Sequence, residues 1–130
     1  MIEGSCLCGA ISLSVRGSLE QSPEACHCVQ CRKHTSSFLM SVNVRKSALS
    51  VTGEANIGWY RSSEKVDRGF CRICGSTLFW KPDIEGYEWI GVAMGLFDRP
   101  LERKLSKHTF VSEKGAFYDI LDGLPQHDRY

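Results

Sequence analysis

No stretch of this sequence approaches the roughly 20 apolar residues needed to cross a bilayer, so no membrane anchor is expected. The opening residues, Met1-Ile2-Glu3-Gly4-Ser5, lack a basic start followed by an apolar core. No secretory signal is expected, and the expected compartment is the cytoplasm. Neither sign of charge dominates: 16 Lys and Arg stand against 15 Asp and Glu, a formal net charge of +1. That balance argues against general electrostatic binding to nucleic acid. No window of about 12 residues carries a convincing helical period, and there is no linker, charge run, low-complexity tract or internal repeat. These absences disfavour a helical bundle or a repeat array.

What the chain has in excess is cysteine. Its seven cysteines are an odd number, so disulfides cannot use them all. In a reducing cytosol disulfides are rare, and clustered cysteines there bind metal or do chemistry. If all seven were thiolates on two Zn²⁺ ions, the net charge would fall by three, to about −2. At 130 residues the chain has the length of one domain with its own core, and 42% hydrophobic content excludes disorder.

Alternating patterns predict many short strands. Ile11, Leu13 and Val15 alternate with polar residues, as do Phe38, Met40, Val42 and Val44. Ala48 to Val51 and Ile57 to Tyr60 read as short strands parted by the turn Thr52-Gly53-Glu54. Arg61 to Asp67 reads as a charged hairpin, and Thr77 to Trp80 and Trp89 to Ala93 read as buried strands. Gly17 to Pro23 reads as a turn region, and the stretch from Gly95 to Tyr130 as less regular. The expected fold is a small zinc-stabilised all-β domain of several short antiparallel sheets with little helix, spanning residues 1–130. The aromatics Trp59, Tyr60, Phe79, Trp80 and Trp89 are expected in its core.

The cysteines divide by spacing. Cys6 and Cys8 form a Cys-x-Cys pair; in extended chain their side chains share a face, about 6.5 Å apart at Cα, within reach of one ion. Cys71 and Cys74, followed by Gly75, form a knuckle in which glycine lets the backbone return. Cys26, Cys28 and Cys31 form a triplet. The simplest partition is a closed Cys₄ site from the two pairs and an open Cys₃ site from the triplet, which matches the rule that structural zinc is closed and catalytic zinc keeps one position free. Other readings stay open here: buried free thiols acting as small hydrophobes, a triplet completed by His27, His34 or His108, or a redox or zinc-transfer site. His27 is awkward as a ligand beside both neighbours, because extended chain points it to the opposite face. Three thiolates on Zn²⁺ leave a charge of −1, which disfavours metal-hydroxide hydrolysis and favours holding a thiolate or presenting a carbonyl to one.

At Cys6-Leu7-Cys8-Gly9, Cys26-His27-Cys28-Val29-Gln30-Cys31-Arg32 and Arg68-Gly69-Phe70-Cys71-Arg72-Ile73-Cys74-Gly75-Ser76 the chain resembles the glutathione-dependent formaldehyde-activating enzyme family, which includes the centromere protein V type. Gly95 to Pro100, His108-Thr109-Phe110 and Asp122 to Pro125 resemble its later signatures, so the likeness runs from about Gly4 to Pro125. The resemblance implies a mostly-β fold, a structural zinc on Cys6, Cys8, Cys71 and Cys74, and a working zinc on Cys26, Cys28 and Cys31. It also implies a carbon–sulfur lyase that joins glutathione and formaldehyde into S-(hydroxymethyl)glutathione. Ser36 stands where family members often have glycine, and Ala116-Phe117-Tyr118 replaces a usual tryptophan.

Two zinc ions per chain are expected, the second held less tightly because its site is open, with a small thiol such as glutathione as partner. Glutathione carries two carboxylates, so Arg32, Lys33 and Arg68 are candidates to hold them. Thr35 and Ser36 are candidate hydrogen-bond donors near the metal, and His108 a candidate proton carrier. The run Arg99, Arg103, Lys104 and Lys107 reads as a solvated face, interrupted by Glu102. A reading of a different class is a non-catalytic, zinc-stabilised interaction module.

Overall fold

A computed structural model describes residues 1–130. In chain order the elements are β1 (Ile2–Ser5), β2 (Ser12–Val15), β3 (Glu24–Cys26), α1 (Val29–Thr35), β4 (Leu39–Arg45), β5 (Leu49–Thr52), β6 (Ile57–Ser63), β7 (Val66–Cys71), β8 (Thr77–Pro82), β9 (Trp89–Ala93) and β10 (Lys107–Thr109), with single 3₁₀ turns between some of them. The fold is mainly β, as expected. The strands form two sheets rather than several: a three-stranded sheet in the order β1-β2-β5, and a seven-stranded sheet in the order β10-β3-β4-β9-β8-β7-β6. Every pair is antiparallel except β10 against β3, which run parallel.

Most of the alternating residues do what their period predicts, whereas Phe38 and Met40 are only half-buried and Leu39 between them is buried. Leu13 and Val15 of β2 and Val42 and Val44 of β4 turn into one core with Leu78, Phe79, Ile90 and Val92. That core joins the two sheets, and Ile11 and Leu78 are fully buried in it. Burying each such side chain contributes about 1.5–3 kcal/mol. Cys6 and Cys71 belong to the same cluster, so the first cysteine group is anchored in the core; no member of the triplet belongs to it.

Two features differ from the sequence-based picture for local reasons. Trp59 and Tyr60 are 41% and 65% exposed, not core. They sit on β6, the edge strand of the large sheet, which has a neighbour on one side only. Trp59 instead stacks on Phe79, with ring centroids 6.1 Å apart, beneath the Lys81 ammonium. The second difference is α1, a helix where the sequence shows no helical period. It has 7 residues, too few for a 3.6 period to show, and its only buried residue is Cys31. Its basic last turn, Arg32, Lys33 and His34, complements the helix dipole. No helix of the structure is long and apolar enough to cross a membrane.

Candidate metal and active centre

The two loops of the first cysteine group share one device. Gly9, φ +79°, donates its N–H to the Cys6 carbonyl, and Gly75, φ +80°, donates to the Cys71 carbonyl. Both turns need a left-handed residue to fold the chain back around its sulfurs. The Ser76 hydroxyl lies 3.2 Å from Cys74 Sγ and accepts the Leu7 N–H, tying the loops together. The Sγ atoms of Cys6, Cys8, Cys71 and Cys74 all lie within 4.8 Å of one another. Cys6–Cys8 and Cys8–Cys71 are separated by 3.7 and 3.8 Å. Tetrahedral zinc with Zn–S near 2.3 Å requires sulfurs about 3.8 Å apart, so these donors fit a Zn²⁺ ion. The Ile11 N–H donates to Cys6 Sγ and the Cys74 N–H to Cys71 Sγ. Hydrogen bonds from Ser76 draw the Cys74 thiol down to about 5.

The second group is built where β3 runs into α1. Cys26 ends β3 and is flanked by Leu39 of β4 and Thr109 of β10. Cys28 is the N-cap of α1: its Sγ accepts the Cys31 N–H at 3.3 Å, the place usually taken by Ser or Asp. Cys31 then turns inward on the first turn of the helix. The three Sγ atoms lie within 4.8 Å of one another, and no histidine or carboxylate joins them at that distance. Their proximity splits their titration. Hydrogen bonds from Cys26 and Cys31 draw Cys28 down to about 2, while hydrogen bonds with Cys26 and Cys28 push Cys31 up. Three soft donors with no fourth protein ligand suit a metal that keeps one position free.

A cavity of about 830 Å³ opens in front of this group. Of the candidate substrate contacts, only Arg68 lies in its wall; Arg32, Lys33, Thr35, Ser36 and His108 do not. Thr35 and Ser36 serve the helix itself. Thr35 gives its hydroxyl to the Cys31 carbonyl at 2.7 Å. Ser36 is the exposed C-cap of α1, at φ +80°, and its N–H closes the helix on the Arg32 carbonyl. The left-handed geometry explains the glycine often found there; a side chain in it costs about 1 kcal/mol. Arg32 is half-buried, with Nε lacking a hydrogen-bond partner, and Lys33 is exposed. Of the basic run, Arg103 is spent on the Leu19 carbonyl and Ser22, and Lys107 pairs with Glu24.

Arg68 is 4% exposed. It donates to Cys31 Sγ at 3.3 Å, to Ser62 Oγ at 3.0 Å and to Gln30 Oε1 at 3.5 Å. Its guanidinium therefore sets a positive charge against the triplet, with three of its five N–H donors engaged. The sequence names the residue; only the fold shows that its partner is a cysteine sulfur.

Behind the triplet lies a chain that sequence reasoning misses. His27, fully buried, points away from the sulfurs, as its place between two cysteines predicts. Its Nε2 is 2.8 Å from His108 Nδ1, and His108 Nε2 is 2.7 Å from Asp122. Its Nδ1 is hydrogen-bonded to the Tyr118 hydroxyl. Burial, followed by the charges of His108 and Lys114, lowers the His27 pKa to about 4, so the ring is neutral near pH 7. His108 thus supports β3 from the far side, and Tyr118 occupies the stretch where a tryptophan is usual.

Comparisons with known proteins agree with this architecture. A Schizosaccharomyces pombe protein described as an uncharacterized lyase is 39% identical over 80 residues, covering 60% of this chain and 56% of its own length. The match thus spans little more than half of that relative. A crystal structure of a Rhodobacter sphaeroides protein superposes with a TM-score of 0.64 at 23% identity, covering 81% of this chain and all of that one, and so shares the fold. The family profile for the glutathione-dependent formaldehyde-activating enzyme matches residues 1–113, a span that holds all seven cysteines, α1 and every strand of both sheets. The chain belongs to the glutathione-dependent formaldehyde-activating enzyme family.

Proposed function

We propose that this chain is a zinc-dependent carbon–sulfur lyase that makes or cleaves the adduct of a small thiol and an aldehyde. Cys6, Cys8, Cys71 and Cys74 hold a structural zinc, and Cys26, Cys28 and Cys31 hold a second one at the working site. The observation that carries this reading is the three-sulfur group, without a fourth ligand, facing a cavity large enough for a small molecule. When bound there, zinc would supply a place to hold the thiol as thiolate or to polarise the aldehyde oxygen.

The protein's own residues supply the rest. Cys28 is placed by the helix N-terminus it caps, and Cys31 by the inward face of α1. Arg68 holds a positive charge against Cys31, which counters the excess thiolate charge. The cavity wall holds the two reactants near each other, which supplies proximity. In the addition, the thiol sulfur forms a bond to the carbonyl carbon, the C=O π bond breaks, and the thiol proton ends on the new hydroxyl. The product is a hemithioacetal; the reverse reaction breaks the C–S bond, and nothing is oxidised or reduced.

The family's name supplies the first substrate pair, glutathione and formaldehyde, giving S-(hydroxymethyl)glutathione. Exchange NMR on formaldehyde with glutathione and several other thiols tests the reading: zinc-loaded protein is expected to speed adduct exchange for at least one thiol. No acceleration with any thiol would sink it. Arg68→Met is expected to weaken retention of the second zinc by about 10–100-fold, the usual effect of losing a partner of a metal ligand. Competition with a chromogenic chelator measures this, and unchanged retention would show that Arg68 does not serve the centre.

A further inference from the structure

His27 stands between Cys26 and Cys28, yet it is neither grouped with the sulfurs nor part of the cavity wall. It is fully buried, and its partner His108 nearly so. A polar ring buried without partners is costly, and an apolar side chain would fill the same space without that cost. Here every ring nitrogen is used. As a carboxylate, Asp122 only accepts, so His108 donates to it from Nε2 at 2.7 Å. With both rings neutral, His108 Nδ1 then accepts from His27 Nε2–H at 2.8 Å, and His27 Nδ1 accepts from the Tyr118 hydroxyl. The other Asp122 oxygen accepts the Leu124 N–H at 3.0 Å, which fixes that end of the chain. The backbone adds a second tie, because the His27 N–H donates to the Thr109 carbonyl at 3.0 Å. Phe38 and Tyr118 pack against the His27 ring, with centroids 4.8 and 5.5 Å away.

We propose that Tyr118, His27, His108 and Asp122 are positioning residues, which set the Cys26 and Cys28 sulfurs for the metal of the open centre. The inference rests on the reading of Cys26, Cys28 and Cys31 as a metal centre given above. The first cysteine group takes its rigidity from the core, to which Cys6 and Cys71 belong. The triplet has no such anchor, since none of its members is in that cluster. Cys31 is placed by α1. Cys26 and Cys28 hang on the two peptides that flank His27, so fixing the His27 ring and N–H fixes both. A buried hydrogen-bonded chain with every member satisfied is rigid and holds one arrangement. A site with only three ligands depends on such support, because no fourth ligand completes it.

Tyr118→Phe and Asp122→Asn test this at the two ends of the chain. Tyr118→Phe keeps the aromatic ring and removes the donor to His27 Nδ1. Asp122→Asn leaves one acceptor oxygen where His108 and Leu124 use two. Both residues lie outside the strands and the core cluster, so the thermal melt is expected to stay within a few degrees of wild type. Native mass spectrometry with a competing chelator counts the zinc ions on each chain. Each variant is expected to hold the second ion about tenfold less tightly and the first unchanged, the low end of the usual effect of losing support around a metal. Cobalt(II), added to protein that holds one zinc, gives a visible spectrum that reports its sulfur ligands and their geometry. That spectrum is expected to change in both variants. Unchanged retention and an unchanged spectrum in both would overturn the proposal and leave the metal reading standing. Loss of the cooperative melt, or equal weakening of both ions, would make the chain a general structural element and overturn it too. Wild-type protein that never holds more than one ion would overturn the metal reading and the proposal with it.

Discussion

Cys8→Ser is expected to unfold the protein, although Cys8 is a surface residue. An exposed substitution away from special features changes stability by about 0.5 kcal/mol or less. Cys8 is exposed, and as a free thiol it would fall in that class. It is instead one of four sulfurs within 4.8 Å of one another, a set that would complete a tetrahedral zinc site. Structural zinc in small domains contributes about 10–16 kcal/mol, as much as the whole stability of a domain this size. Hydroxyl oxygen replaces thiolate poorly on zinc, so most of that contribution is at risk. Circular dichroism melts decide the matter. Loss of the cooperative transition in Cys8→Ser, matched by wild type under a strong chelator, is the expected result. A melt within a few degrees of wild type would refute a structural metal at this site. The comparison with buried Cys71 is informative, because Cys71→Ser also disturbs packing whereas Cys8→Ser does not.

Cys28→Ser is expected to behave in the opposite way: the fold stays and the second zinc goes. The triplet contributes nothing to the hydrophobic cluster that joins the two sheets. Serine is itself a good N-cap, so the hydrogen bond that Cys28 makes at the start of α1 is replaced in kind, and the stability cost stays within about 1 kcal/mol. Two sulfurs in an open site no longer hold zinc well. Mass-spectrometric metal analysis should therefore fall from two ions per chain to one, with the melt preserved and thiol–aldehyde exchange reduced to the uncatalysed rate. Collapse of the fold would make the second centre structural and favour the interaction-module reading. Retained exchange with one zinc would remove the triplet from the chemistry.

Much of the architecture was legible because its signals are local. The period of two in Ile11, Leu13 and Val15 gave β2, and Trp89 to Ala93 was read at its observed limits. The cysteine spacing sorted the sulfurs into the two groups that the fold brings together. The α1 helix was not legible, because seven residues leave no periodic trace and its cap is a cysteine. Nor was the exposure of Trp59 and Tyr60, since residue type does not reveal which strand lies at a sheet edge. Thr35 and Ser36 follow the triplet in sequence, but in space they end the helix and do not line the cavity.

By itself, then, the sequence determined the class of fold and which sulfurs lie together, because strand period and ligand spacing are properties of neighbouring residues. The tertiary structure alone decided what surrounds the open sulfurs. Thr109 reaches Cys26 by a parallel pairing across more than 80 residues of chain, Arg68 reaches Cys31 from a strand of its own, and Tyr118 and Asp122 reach His27 and His108 from the last part of the chain. Such contacts depend on how distant segments pack, and no local pattern records them. The hydrogen-bonded chain behind the triplet is of this kind, so how the open sulfurs are held is a property of the fold.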